Sequence, residues 1–256
     1  YDYRCRMRHK NGHWVWVHDR GQVFEWTSTG EPLWMYGTHS DVNREMEQLD
    51  RLNQQNTAFR ILNDLAMTNE RDDLTLINRA LRRGSDFLGL PTAIVSEITS
   101  NVYTVRWCQS HLSGHPEPGT TFSLEDTYCS LLLNNRAPLA ISDMGRSQYR
   151  YSRCYEVFRL EAYIAAPIHV NGKLFGTLNF SGPEARNKEF TDTEITFVTL
   201  LARWIANAIE RQVTTSTLSK LANQAPGTLY QYRLWPDGSS TFPYASPGIE
   251  SLYGTT

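Results

Sequence analysis

Residues 160–181 read Leu-Glu-Ala-Tyr-Ile-Ala-Ala-Pro-Ile-His-Val-Asn-Gly-Lys-Leu-Phe-Gly-Thr-Leu-Asn-Phe-Ser, and this stretch decides the fold. Two runs rich in apolar and β-branched residues, 162–170 and 174–181, flank Asn171-Gly172. Asn-Gly is a preferred sequence for the two-residue turn that joins antiparallel strands. The stretch therefore predicts a β-hairpin.

A long helix is predicted after this hairpin. Thr191 and Glu194 have the Thr-x-x-Glu spacing of a capping box, which marks a helix start. Apolar residues then recur on one helical face as far as Ile209. A helix over 191–222 would be roughly 48 Å long at about 1.5 Å per residue, more than one small domain needs. We expect its end to project as a coiled connector.

The segments before the hairpin alternate between strand and helix patterns. The strands are predicted at 92–99, 103–109 and 139–143, and the short helices at 123–134 and 151–159. Two longer helices are predicted further upstream, at 41–66 with Asp41 as its N-cap, and at 72–87 before Gly89.

Both ends of the chain have strand and turn patterns. Residues 1–40 predict an antiparallel meander of strands at 1–8, 13–17, 23–26 and 33–38, too short to close its own core. The chain begins without Met and inside a strand pattern, which predicts an excerpt of a longer protein. Residues 226–256 predict strands at 229–234 and 242–246 around Pro236-Asp237-Gly238.

The middle of the chain resembles a GAF domain. The resemblance is carried by Phe122-Ser123-Leu124-x-x-Thr127-Tyr128-Cys129-Ser130, by the 160–168 stretch, by Asn171-Gly172-x-x-Phe175-Gly176-Thr177-Leu178-Asn179-Phe180, and by Phe190-Thr191-x-x-Glu194. It covers residues 59–212 and implies an α+β fold, an antiparallel sheet with flanking helices.

The two ends resemble parts of PAS domains. Lys10-Asn11-Gly12-x-Trp14-Val15, Asp19-Arg20-Gly21 and Tyr36-Gly37-Thr38-x-x-Asp41 are similar to the C-terminal half, and Pro226-Gly227 with Tyr244-x-Ser246-Pro247-Gly248 to the N-terminal half. The expected organisation is a PAS part at 1–43, a connector helix at 44–66, the GAF domain at 59–212, a second connector at 213–224 and a PAS part at 225–256.

Composition narrows the classes of partner. The 256 residues carry a formal net charge of -2, with Lys and Arg scattered, which argues against nucleic-acid binding and membrane contact. The four cysteines form no CxxC pair, so no metal is expected, and no signal peptide or apolar span is present. The prediction is a cytoplasmic protein. No GxSxG, HExxH, P-loop or Rossmann motif occurs, so no enzyme activity is expected in this chain.

The candidate ligand-binding residues are aromatic, acidic or thiol side chains near the cavity that the resemblance implies. They are Trp107, Phe122, Tyr128, Cys129, Asp143, Cys154, Tyr155, Phe158 and Tyr163. Each has a plain structural alternative: the aromatics belong to an ordinary core, Asp143 caps a turn, and the two cysteines are buried hydrophobes rather than a redox pair. The plain interpretation is favoured for the cysteines.

Two known GAF ligands find little support in the sequence, and the cofactor is unknown. Phytochrome-type domains attach bilin to a Cys followed by His, whereas Tyr155 follows Cys154 and Ser130 follows Cys129, so covalent bilin is not expected. The Asn-Lys…Phe-x-x-x-Asp-Glu pattern of cyclic-nucleotide GAF domains is not matched by 187–195.

The resemblance implies an input region of a bacterial signalling protein. A small ligand, or a conformational change, would act on helices 41–66 and 191–222 in a homodimer and on an output domain, with cyclic-di-GMP turnover favoured over a histidine kinase. Arg20 and Asp41 are candidates for a signal-relay pair, the alternative being two solvated charges. The rival function is a purely structural dimerisation module whose cavity is packed shut.

Overall fold

The computed structural model describes residues 1–68, 73–135, 138–224, 228–246 and 249. Strands and helices both contribute, as the α+β prediction requires. The chain divides into two units, Tyr1–Ile61 and Leu62–Thr256, and helix α1 (Asn43–Met67) runs from the first into the second.

The first unit is an antiparallel meander of β1 (Asp2–Arg8), β2 (Trp14–Trp26) and β3 (Pro32–Asp41). The prediction of separate strands at 13–17 and 23–26 was wrong, because β2 continues through Gly21 without a turn. Gly21 pairs with Gly37 of β3, and the ring of Tyr1 occupies the space where a Gly21 side chain would stand. The glycine therefore makes room for an aromatic ring and does not end the strand.

The start of α1 is tied to β2. Asp41 was predicted as the N-cap, but it is the last residue of β3, and the helix begins two residues later at Asn43. The Asp41 Oδ1 accepts a hydrogen bond from the Asn43 N–H at 2.9 Å. The Asn43 Oδ1 accepts one from the Trp16 N–H at 2.9 Å, and the Val42 N–H donates to the Trp16 carbonyl. These bonds fix the direction in which the helix leaves the sheet.

The second unit is built on a six-stranded antiparallel sheet of order β6-β5-β4-β9-β8-β7. Its strands are β4 (Thr92–Thr99), β5 (Val102–Ser110), β6 (Thr121–Ser123), β7 (Leu139–Ile141), β8 (Ala162–Val170) and β9 (Lys173–Gly182). The hairpin predicted from the 160–181 stretch is β8–β9, with Asn171 and Gly172 both at positive φ in its turn. Strand β9 pairs with β4 as well, so it lies inside the sheet.

Two helices cover one face of this sheet: α2 (Asp73–Leu88) and α5 (Asp192–Gln224). The fully buried ring of Phe180 on β9 packs between them, close to Gly84 of α2 and to Leu201 of α5. The predicted helix start at Asp72 lies outside the described residues. The predicted long helix is confirmed as α5, and its capping box is formed, since the Thr191 N–H donates to Glu194 Oε2 and the Glu194 N–H to Thr191 Oγ1.

Short helices cover the opposite face. The single helix predicted at 123–134 is divided into a 3-10 turn, Leu124–Asp126, and α3, Cys129–Asn135. The division falls at Thr127, whose extended backbone N–H and side-chain hydroxyl both bond to the Leu124 carbonyl and end the turn. Helix α4 (Arg153–Phe158) follows, and Arg159 ends it in the left-handed conformation.

A separate two-stranded hairpin lies near the end of the chain, formed by β10 (Tyr230–Leu234) and β11 (Ser240–Ala245). The Asp237 Oδ1 accepts hydrogen bonds from the N–H and the hydroxyl of Ser239 in its turn. The PAS-like motif Pro226-Gly227 and residues 250–256 lie outside the described residues.

No helix in the described part of the chain is both long enough and apolar enough to cross a membrane.

The packing of α2 on β9 predicts that Gly84→Ala lowers the free energy of unfolding, whereas a Gly-to-Ala change in a helix usually raises it. In an open helix this change stabilises by up to about 1 kcal/mol, because Ala is the better helix former. Here the new Cβ would stand 2.5 Å from the Phe180 ring, so we expect a loss of roughly 1–3 kcal/mol in the free energy of unfolding. Urea denaturation measures it. Asn78→Ala, at an exposed position of the same helix, is the control and should change stability by less than about 0.5 kcal/mol. A stabilised Gly84→Ala protein would contradict the close approach.

Candidate functional site

A cavity of about 500 Å³ lies in the second unit, on the face of the sheet opposite α2 and α5. Its floor is formed by residues of β4, β5 and β9. Its other walls come from the 112–116 loop, from 127–129 at the start of α3, and from Phe158 and Leu160 beside α4. This volume is within the range of small-molecule binding sites.

The floor of the cavity follows from the alternation along β9. Neighbouring side chains of a strand point to opposite faces, so Leu178 and Phe180 face the long helices while Asn179 and Ser181 face the cavity. Both polar residues are buried, Asn179 with 4% and Ser181 with 2% of its surface exposed. A central strand that is apolar on one face and polar on the other therefore supplies the base of the site.

A hydrogen-bonded polar network continues from the floor into the core. Thr177 Oγ1 shares a 2.8 Å hydrogen bond with Ser96 Oγ and lies 3.0 Å from Cys129 Sγ. The same sulfur is 3.3 Å from the hydroxyl of Tyr163. The network joins β4, β9, β8 and α3 through hydrogen bonds between buried side chains.

Aromatic rings form much of the cavity wall. Phe122 and Phe158 meet edge to face with ring centroids 5.4 Å apart. Tyr128 stacks on Tyr163 at 4.9 Å, and its hydroxyl donates to the Leu160 carbonyl at 2.9 Å. These contacts join the β6 side of the cavity to the α4 side and leave flat apolar surfaces facing the interior.

Polar contacts hold α4 in place beside the cavity. The Tyr155 hydroxyl donates to Glu161 Oε1 at 2.5 Å, and the Gly145 N–H donates to Glu161 Oε2 at 2.9 Å. Arg153 of α4 forms an ion pair with Asp126 in the 3-10 turn. Because these bonds link α4 to the segments on either side of it, they position Phe158 at the cavity.

Burial keeps the tyrosine hydroxyls and the cysteine thiol of the cavity in their neutral forms. Loss of contact with water raises the pKa of the Tyr103 and Tyr163 hydroxyls well above the ordinary range, and it raises the pKa of the Cys129 thiol. Desolvation also raises the pKa of Cys154. All four cysteines are free thiols. Since thiolates are the reactive form, these two buried thiols are poor nucleophiles.

The structure brings five of the nine sequence-predicted residues to the cavity: Phe122, Tyr128, Cys129, Phe158 and Tyr163. The other four have different places. Trp107 is buried on β5 and does not line the cavity, and Asp143 caps a turn by accepting from the Arg146 N–H. Cys154 packs with Met144 and Leu132 in a neighbouring apolar cluster, and Tyr155 bonds to Glu161.

The structure does not bring Arg20 and Asp41 together. Asp41 lies opposite Val17 in the β2–β3 ladder, three residues along β2 from Arg20. Arg20 lies opposite Asp2, whose carboxyl pKa it helps to lower, after the larger effect of the hydrogen bond from His18. The contact between sheet and helix that the pair was expected to make is made by Asn43 and Trp16.

Sequence reasoning missed Asn179, Ser181 and Tyr103 as cavity residues. A signal was present, since Thr177, Asn179 and Ser181 alternate with apolar residues in a run that the hairpin places in a sheet. The Asn179 Nδ2 donates to the Tyr103 hydroxyl at 3.2 Å, a contact between residues 76 positions apart.

Comparison with known families agrees with this architecture. The protein-family model described as "GAF domain" matches residues 72–209, more than half of the chain. The chain belongs to the GAF domain family. A second model, described as "PAS fold", matches residues 1–39. No curated protein matches the chain in sequence.

Solved structures with the same fold are also GAF domains. The GAF domain of an Acinetobacter phosphoenolpyruvate-protein phosphotransferase is 11% identical, covers 64% of this chain and 97% of its own, and has a TM-score of 0.51. The equivalent domain from Coxiella burnetii is 14% identical over 65% and 98%, with a TM-score of 0.50. A phycoerythrobilin-bound GAF domain of a cyanobacterial phytochrome is 15% identical over 64% and 97%, also at 0.50. At these identities the likeness shows the fold alone.

GAF and PAS domains are sensory and regulatory modules. GAF domains often bind small ligands and dimerise. Within the described residues, no group of three or more His, Cys, Asp and Glu side chains is placed to hold a metal ion.

The burial of the thiols predicts slow alkylation in the folded protein. Desolvation raises the pKa of Cys108 from 9.0 to about 11, so its thiolate fraction at about pH 8 is roughly a hundredfold lower than in the unfolded chain. Desolvation also raises the thiol pKa of Cys129 and of Cys154. We expect iodoacetamide to modify these three residues at least about tenfold more slowly than in denaturant, as quantified by peptide mass spectrometry. Cys5 is the internal comparison, and a native disulfide between Cys129 and Cys154 would contradict the assignment.

Proposed function

We propose that the GAF domain binds a small organic ligand in its 500 Å³ cavity and that the chain is a sensory input region of a bacterial signalling protein. The open cavity carries this proposal. The rival function, a purely structural dimerisation module, predicts a cavity filled by side chains, and the aromatic walls here leave the interior free.

The expected domain organisation belongs to this proposal. Residues 59–212 act as the sensor, 1–43 and 225–256 as parts of PAS domains, and 44–66 and 213–224 as connectors. The output domain is proposed to act in cyclic-di-GMP turnover rather than as a histidine kinase, and the resemblance carried by the GAF motifs supports this. The protein is proposed to work in the cytoplasm.

The cavity is next to the element that would carry the signal. Residues 179 and 181 face the ligand site, while Phe180, between them, lies on the face that α5 covers, and its ring and the Leu201 side chain both border Gly84. Movement of β9 on ligand binding therefore acts directly on α5. A ligand can shift this equilibrium only by the difference between its affinities for the two states.

A blocking substitution tests the cavity. Thr120 lines the cavity in the loop before β6, so Thr120→Trp should fill its entrance, whereas Thr121→Trp at the exposed neighbouring position should not. N-Phenyl-1-naphthylamine, an uncharged fluorescent probe, should bind the parent chain and Thr121→Trp alike and Thr120→Trp at least about tenfold more weakly. Native mass spectrometry of the purified chain should show a bound small mass that Thr120→Trp lacks. Equal probe binding by both tryptophan variants, with no bound mass, would refute the sensor proposal.

The homodimer is proposed to form through α1 and α5, and a stripe on α1 supports it. Leu49, Leu52, Asn56, Phe59 and Asn63 are all exposed and recur at alternating spacings of three and four. This spacing is that of a coiled-coil seam, in which an occasional Asn fixes the register and the number of strands. The opposite face of α1 is used within the chain, where Ile61 and Leu65 are buried.

A charge placed in this stripe should prevent the dimer. Leu52 is 52% exposed, and Leu52→Glu would bury an unpaired carboxylate between two helices. We expect sedimentation analysis to find a dimer for the parent chain and a monomer for Leu52→Glu at the same concentration. Arg51→Glu changes charge at the adjacent exposed position, away from the stripe, and should remain dimeric. Dissociation by both variants, or by neither, would count against the α1 seam.

A further inference from the structure

The side chains around the cavity carry almost no charge. Among the described residues that line it there is no Asp, Glu, Lys or Arg, and the one basic side chain is His115. His115 is exposed at the loop side, with its Nδ1 3.4 Å from the Pro116 carbonyl and 3.9 Å from Cys108 Sγ. The interior therefore offers no counter-charge to a buried ligand.

The other ionisable groups do not supply that charge either. Tyr103, Tyr163 and Cys129 are buried among one another and remain protonated, because burial raises the pKa of each. Moving a carboxylate, phosphate or ammonium group from water to such a site without a paired charge has a large unfavourable free energy. The cavity therefore discriminates against charged ligands.

The floor contains two polar groups that the protein leaves without partners. The Asn179 amide uses its Nδ2 on the Tyr103 hydroxyl, while its Oδ1 has no hydrogen-bond partner among the described residues. The Ser181 hydroxyl likewise has no hydrogen-bond partner among the described residues, since the contacts of Ser181 with its neighbouring strands are those of its backbone. Neither atom is among the described side-chain atoms that are both buried and unpaired, so each is open to the cavity interior. Since both residues line the cavity, a ligand would satisfy them.

The two groups face the same space. Asn179 and Ser181 are alternate residues of β9, so their side chains lie on one face about 7 Å apart. The amide presents an acceptor and the hydroxyl can donate or accept. Aromatic rings on the walls, among them Phe122, Phe158 and Tyr163, offer flat surfaces on which a planar molecule can stack.

We infer that the ligand is an uncharged, planar heteroaromatic molecule whose edge carries a neutral hydrogen-bonding group, such as a lactam or amide, that binds to Asn179 and Ser181. The inference rests on the proposed function, because it names the ligand class of the same cavity. It distinguishes this cavity from sites for nucleotides, amino acids and organic acids, whose charged groups need paired side chains.

Three molecules that share a two-ring aromatic frame separate the possibilities. 2-Quinolone is neutral and carries a lactam, naphthalene is neutral without a polar group, and 2-naphthoate carries a charge. Ligand-detected NMR titration of the 256-residue chain should give 2-quinolone the lowest dissociation constant, at least about tenfold below that of 2-naphthoate.

Asn179→Leu keeps the branched shape of the floor side chain and removes its amide. In this variant the dissociation constant of 2-quinolone should rise at least about tenfold, while that of naphthalene stays unchanged. Should Asn179→Leu not fold, Ser181→Ala removes the second polar group with little change in shape, and 2-quinolone should again weaken relative to naphthalene. Asn187→Leu, at an exposed position, is the control.

The outcomes separate the ligand class from the sensor function. If 2-naphthoate binds as tightly as 2-quinolone, or if removal of both floor groups leaves 2-quinolone binding unchanged, the inferred class is wrong. In that case loss of all binding in Thr120→Trp would still support the cavity as a ligand site. If none of the three molecules binds in a way that Thr120→Trp abolishes, the inference and the proposed function both fail.

Discussion

The second unit depends on the packing of Phe180 against a glycine. The Phe180 ring lies in the middle of the sheet and is fully buried. Helix α2 can approach it so closely only because Gly84 has no side chain. Leu201 of α5, the other helix, also borders the space beside Gly84. Because this packing is dense on one face of β9, the strand is held firmly enough for its other face to remain polar and partly open.

The polar face of β9, considered alone, is unfavourable for stability. Thr177, Asn179 and Ser181 place polar atoms at the centre of a buried sheet, where each needs a hydrogen bond. Ser96 and Cys129 satisfy Thr177, and Tyr103 satisfies one end of the Asn179 amide. Apolar residues at 179 and 181 would fill the interior without this requirement. Polar residues there are understandable when they bind something that enters from outside.

Local patterns predicted much of this structure from sequence. Asn171-Gly172 fixed a hairpin because its turn geometry is local, and Thr191 with Glu194 fixed a helix start because a capping box spans four residues. Prediction failed where a distant residue decides the conformation. The segment around Gly21 was predicted to separate two strands, but it lies inside β2, where the ring of Tyr1 occupies the space beside Gly21. Asp41 was taken as the N-cap, and its side chain does accept from the Asn43 N–H, but the helix starts at Asn43, whose Oδ1 accepts a hydrogen bond from the distant Trp16 N–H.

The cavity was predictable in its aromatic residues more than in its polar ones. Phe122, Tyr128 and Tyr163 stand out in sequence because large rings prefer buried surfaces and suit the walls of a pocket. Asn179 and Ser181 do not stand out, since their position depends on which strands neighbour β9. The pairing of Ser181 with both Thr92 and Tyr163 is what puts β9 in the interior of the sheet. An exposed edge strand with the same residues would only be solvated. The burial that topology imposes is therefore what turns two ordinary polar side chains into the groups that can recognise a ligand.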